Sequence, residues 1–270
     1  RTVLRKLLWD MGRDDDPSSW TPCVIFRCAP RSLNLAAARS KTGCFRMRIL
    51  ILTKRQYTGR GLINDRYGRL FELPERLQAA GHDVRGLALS YRARGSGESR
   101  TDAGVRWWSR DAFPSGLLRH DALIAEATSG WTPDVVWASS DAVHAVLAYR
   151  LWRRRGIPYV VDLYDNYESF ALTRLPGLRQ GLRIACRHAA AITAVTSALR
   201  NKVLQECAPA GEVLVVGNGV DRAVFHPRDK TAARARLGLP EWARVVGTAG
   251  AIIRHRGIGG SFHRFNSYRF

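Results

Sequence analysis

The chain has 270 residues, 46% hydrophobic and 24% charged, which excludes a low-complexity polymer and suffices for one large or two modest domains with real cores. Its formal charge of +20, from 43 Lys+Arg against 23 Asp+Glu, points toward an anionic partner. That charge is partly terminal: residues 1–46 carry nine basic and four acidic side chains, and residues 251–270 carry four basic and no acidic ones.

In chain order, residues 1–46 show no sustained helical or strand period and read as disordered or foreign to the fold. At Met47 the character changes to Met47-Arg48-Ile49-Leu50-Ile51-Leu52-Thr53, a near-continuous apolar run expected of a parallel strand buried on both faces. A Gly-containing loop (54–65), a helix over about 66–80 closed by Gly81 and a strand over 82–89 follow. Further strands are expected at 105–108, 134–138, 159–163, 191–195 and 212–216, with helices at about 116–129, 141–155, 178–189 and 197–207. Seven strands alternating with helices predict βαβ units and a doubly wound parallel sheet over 47–217. A linker (218–243) with a helix at 230–237 leads to a new strand at 244–248, after which periodicity is lost; residues 244–270 read as the truncated start of a second α/β domain.

The five cysteines (23, 28, 44, 186, 207) are odd in number and lack metal or redox spacing, so free thiols in a reducing cytosol are expected. No apolar run reaches the roughly 18–20 residues that span a bilayer, and the reading is a cytoplasmic protein, at most peripheral to the inner membrane face. Arg174, Arg179, Arg183 and Arg187 recur at near-helical spacing and offer a possible contact with anionic lipid. A basic nucleic-acid-binding module is the competing class, ranked low because the strands are of buried type.

Three segments carry candidate chemistry. Gly59-Arg60-Gly61 lies between the first strand and helix, where backbone N–H groups can cradle phosphate, with Asp65 beside it. Asn64 stands where a dinucleotide fingerprint needs its third glycine, and the second strand ends in Leu89-Ser90 without the acidic residue that holds a ribose, which ranks a dehydrogenase low. Asp162-Leu163-Tyr164-Asp165-Asn166-Tyr167-Glu168 follows a buried strand, so Tyr164, Asp165 and Glu168 are candidates to line a ligand; capping and surface roles fit each member equally well. Ser139-Ser140-Asp141 and Thr196-Ser197 open helices and read as N-caps. Asn218-Gly219-Val220-Asp221 marks a tight turn after the last strand.

The opening strand, the Gly-bearing loop, Leu-x-x-x-Gly-His-Asp-Val (77–84), Pro-Asp-Val-Val-Trp-Ala-Ser (133–139), Ala-Ile-Thr-Ala-Val-Thr (191–196) and above all Asn-Gly-Val-Asp-x-x-x-Phe-x-Pro (218–227) resemble the family-4 retaining glycosyltransferases of GT-B fold. The resemblance implies two Rossmann-like domains, the first gripping the acceptor and the second a nucleotide sugar, with hexose transfer to a polar or lipid-linked acceptor, no metal and no cofactor beyond the sugar-nucleotide co-substrate. It implies that Gly59, Gly61, Asp65, Tyr164, Asp165 and Glu168 face the acceptor side and that Asn218, Gly219 and Asp221 order the hinge. Many members carry His-Asp where this chain has Tyr164-Asp165, and the family's donor-side Glu pair has no counterpart here. No catalytic residue is assigned, and the chain by itself is expected to be an inactive acceptor-side half.

Overall fold

The computed structural model describes residues 46–57, 60–66, 68–92, 96–113, 115–220, 222 and 224–245. The chain divides into two compact units between Gly219 and Val220.

The first unit holds strands β1 (Arg48–Lys54), β2 (Gln56–Tyr57), β3 (Arg60–Gly61), β4 (Asp83–Ser90), β5 (Gly97–Arg100), β6 (Arg106–Asp111), β7 (Val135–Ser139), β8 (Tyr159–Leu163), β9 (Ala191–Ala194) and β10 (Glu212–Val215). Helices α1 (Arg69–Ala79), α2 (His120–Ala127), α3 (Ala142–Arg155), α4 (Leu178–His188) and α5 (Ser197–Cys207) connect them, with two 3-10 turns at Tyr167–Ser169 and Ala171–Arg174. Eight strands form one sheet in the order β10-β9-β8-β7-β1-β4-β6-β5. Every neighbouring pair is parallel except β5, which runs antiparallel to β6.

Five consecutive residues of β1, Ile49 to Thr53, are buried. Alternate side chains of a strand point to opposite faces, so the sheet is covered on both. The seven expected strands are present, and β5 is an eighth: Gly97-Glu98-Ser99-Arg100 is polar, largely exposed and held only along one edge, which leaves no apolar pattern to read. The expected Gly-containing loop folds in part as the β2–β3 hairpin.

Local chemistry sets the helix ends. Asp141 caps α3, its Oδ1 accepting from the Val143 and His144 amides at 3.0 and 3.2 Å, and Gly156 closes the helix at φ 70°. Thr196 caps α5 by accepting from the Leu199 amide at 3.1 Å. Gly86 of β4 lies opposite Trp107 of β6, and a Cβ there would stand 2.2 Å from the indole ring; only glycine admits that ring to the core.

In the second unit α6 (Lys230–Leu237) is capped by Asp229 and ends at Gly238, φ 65°. Of the strand expected at 244–248, only 244 and 245 are described, and neither pairs with a strand; the rest lies outside the described residues.

Candidate functional site at the strand-end crevice

The sheet order reverses between β1 and β7. The chain passes from β1 outward to β4 and β6, then returns to β7 on β1's other side. At such a switch point the loops beyond the two strand ends diverge and leave a crevice, the usual ligand position in this architecture. Lys54 at the end of β1 and Ser139-Ser140-Asp141 at the end of β7 flank it.

These two ends are stitched together. The Lys54 amide donates to Ser140 Oγ at 2.9 Å, and Ser140 has φ 91°, a left-handed value rare for a residue with a side chain. The conformation is held by neighbours: the Ser140 amide donates to the Tyr167 hydroxyl at 2.8 Å, and the Ser140 carbonyl accepts from the Tyr164 hydroxyl at 3.2 Å. Such a strained angle persists only where the surrounding bonds over-determine it.

Lys54 is half-buried, its ammonium 5.3 Å from the Phe170 ring centre and 6.0 Å from that of Tyr164. Burial lowers its pKa, and the Asp141 and Asp165 carboxylates oppose that shift. Behind it Asp141 binds the His144 ring at 2.8 Å and accepts from the Tyr91 hydroxyl at 3.0 Å. The Asp141 carboxyl titrates below its ordinary range: burial pushes it up, and His144 and Lys54 together outweigh that.

A second network lies along the ends of β7 to β10. Asp162, 1% exposed, accepts from Ser139 Oγ at 2.8 Å and Thr193 Oγ1 at 2.5 Å, and pairs with Arg69 at 2.8 and 3.3 Å. Arg69 also donates to the carbonyls of Val216 and Gly217, at 2.7 and 3.0 Å. Asp162 opens the acidic-aromatic cluster read from the sequence, but Arg69 does not stand out there, because their pairing spans 93 positions. The signal available was an acidic residue inside a buried strand, which must find a partner.

The residues singled out from sequence fall in several places. Gly61 is half-buried, and its amide donates to the Asp65 carboxylate, so the exposed Asp65 closes its own loop. Tyr164 is buried against Ser140, and Asp165 is exposed at the crevice, accepting from the Asn166 amide at 2.7 Å. Glu168 turns away from the crevice to receive Arg183 at 2.7 Å and Arg179 and Lys202 at 3.0 Å each. Burial works against its ionised form, but those three cations hold its pKa down to about 2. The cavity it borders, of about 30 Å³, takes a water and is too small for a sugar. Asn218 and Gly219 are exposed just beyond β10, while Gly59 and Asp221 lie outside the described residues.

Residues 69–219 match the family profile described as a glycosyl transferase 4-like domain. The chain belongs to this glycosyl transferase 4-like family. It is 33% identical over 154 residues to the D-inositol 3-phosphate glycosyltransferase of Stackebrandtia nassauensis, covering 52% of this chain and 32% of that one. The enzyme of the same name from Thermobispora bispora is 32% identical over 152 residues, covering 52% and 34%. The chain thus spans about a third of the length of these curated relatives. Among solved structures, sucrose-phosphate synthase from Thermosynechococcus elongatus superposes with a TM-score of 0.55 at 16% identity, over 72% of this chain and 53% of that one, a likeness of fold. The matched segment begins at Arg69 and ends at Gly219, so it contains the crevice wall from β7 and the whole Asp162 network. Among the described residues, no helix is long and apolar enough to cross a membrane.

Proposed function

We propose that this chain is the acceptor-side half of a retaining, nucleotide-sugar-dependent glycosyltransferase, and that the strand-end crevice between β1 and β7 receives a phosphorylated polyol. The observation that carries the reading is the bond from the backbone amide of Lys54, whose side chain is a half-buried cation, to a strained Ser140 at the switch point of a glycosyl transferase 4-like domain. A fixed cation in a partly dry wall attracts a phosphate more strongly than one in open water. The exposed Asp165 carboxylate, near enough to Lys54 to oppose the fall in its pKa, suits hydrogen bonding to polyol hydroxyls. The curated relatives are named for a phosphorylated cyclitol acceptor, which supports the same substrate class.

A lipid-linked acceptor presented at an anionic bilayer would draw on the arginines of α4. Arg179 and Arg183 are engaged with Glu168, and Arg187 donates to the Cys207 carbonyl at 3.2 Å, which favours a freely diffusing acceptor. Stabilising charge on a departing nucleotide diphosphate falls, in this reading, to groups outside the crevice.

Calorimetric titration of the 270-residue chain with D-inositol 3-phosphate and with unphosphorylated inositol tests the proposal. A dissociation constant of about 0.1–1 mM is expected for the phosphate, near the lower end of useful affinities. Inositol should bind at least about tenfold more weakly, and Lys54→Met should remove most of that difference by deleting a charge-assisted contact. Equal affinity for both ligands, or none for either, contradicts the assignment.

A further inference from the structure

We propose that Arg69 is a positioning residue: a pin at the start of α1 that fixes where and in what direction the chain leaves the last strand of the sheet. The first unit ends at Gly219, four residues beyond β10. Val216 and Gly217 lie between that strand and the boundary. The Val216 amide still makes a ladder bond, to the Ala194 carbonyl at 2.9 Å. On the other side the Val216 and Gly217 carbonyls both accept from a single guanidinium nitrogen of Arg69, at 2.7 and 3.0 Å.

The rest of the guanidinium is spent on Asp162, whose carboxylate is in turn gripped by Ser139 and Thr193. Arg69 is therefore referenced to the ends of β7, β8 and β9 before it reaches the exit segment. Its side chain is 10% exposed and that of Asp162 is 1% exposed, so the bonds are shielded from competing water. The planar fork of arginine is what the geometry uses: one edge faces a carboxylate while another nitrogen spans two successive carbonyls. A lysine ammonium at the same place could meet the carboxylate but not both carbonyls. With four hydrogen bonds to three residues in place, Arg69 is poorly suited to recruiting a ligand.

The consequence lies on the link from packing to dynamics. Residues 216–219 have no other described backbone bond to the sheet beyond the Val216 amide, so without Arg69 the strand end frays from Gly219 back toward β10. The inference rests on the reading that the segment past Gly219 leads toward the donor-side half.

Hydrogen exchange on the 270-residue chain tests the pin without any sugar transfer, so its outcome is separate from that of the acceptor proposal. The variants are Arg69→Lys, which keeps the charge beside Asp162, and the neutral double variant Arg69→Met with Asp162→Asn. In both, amides of 212–219 should exchange at least about tenfold faster relative to those of β1 and β4, and the backbone order parameters of 217–219 should fall. A residue that merely stabilised the sheet would raise exchange in all strands by the same factor. That uniform result, or unchanged exchange at 212–219, overturns the proposal; if the lysine variant fails to fold, the double variant decides on the same criterion.

Discussion

Lys54 and Ser140, 86 residues apart, are joined across the switch point by a 2.9 Å bond from the Lys54 amide to the Ser140 hydroxyl. The bond ties the end of β1 to the first residue beyond β7, which adopts φ 91°. Two opposing contributions meet there, and they can be separated.

Glycine at 140 would relieve the strain of the left-handed conformation, worth about 1 kcal/mol, while forfeiting the hydroxyl's bond, worth a similar amount. Ser140→Gly should therefore leave stability nearly unchanged. Ser140→Ala keeps the strain and loses the bond, and should cost about 1–2 kcal/mol. Urea unfolding of the two variants checks this order; alanine equal to or better than glycine would contradict it.

Asp162→Ala leaves the Arg69 guanidinium buried without its carboxylate and deprives Ser139 and Thr193 of their acceptor. Removing one partner of a buried pair costs about 3–5 kcal/mol. The same measurement should show a loss of that size, well above that of exposed pairs such as Arg66–Asp102, for which Asp102→Ala should cost under about 1 kcal/mol.

Burial of His120, reinforced by the neighbouring His144 and Arg150 charges, lowers its pKa from 6.5 to about 3. The folded state thus binds fewer protons than the unfolded one between those values, so stability is full above about pH 6.5 and falls as the pH drops toward 3. His82, also lowered by burial, acts in the same direction. At full effect each pH unit corresponds to about 1.4 kcal/mol. Glu168, held down to about 2, adds its own loss only below its ordinary value of 4.5. His120→Phe should flatten the stability profile between pH 6 and 5; an unaltered slope would mean that His120 does not carry it.

Gly86→Ala places a methyl against Trp107, 2.2 Å from its ring. The indole is buried at 1% exposure and cannot yield, so the substitution should cost about 2–3 kcal/mol, read as a lower melting temperature.

The strand series was legible because its residues are apolar on both faces, and Ile49–Thr53 announces a central strand without knowledge of its neighbours. Caps were legible too, since Asp141 and Thr196 act on amides two or three residues away. β5 was not, because its polar residues owe their conformation to β6. The site was legible only as a place. Tyr164-Asp165 follows the end of β8, at the sheet edge where the sequence places it, but which way each side chain turns depends on partners such as Ser140, 24 positions earlier. Glu168 shows the same limit, since Arg179, Arg183 and Lys202 come from two later helices. Ser140's backbone angle leaves no trace in composition or spacing.

The most direct measurement is amide chemical-shift mapping of the 270-residue chain during titration with D-inositol 3-phosphate. The expected result is saturable shifts concentrated at 53–56, 139–141 and 164–166, absent in Lys54→Met, with the Glu168 cluster on α4 and α5 unmoved. Shifts confined to the α4 arginines, or no saturable shifts near Lys54 and Ser140, would contradict an acceptor crevice between β1 and β7.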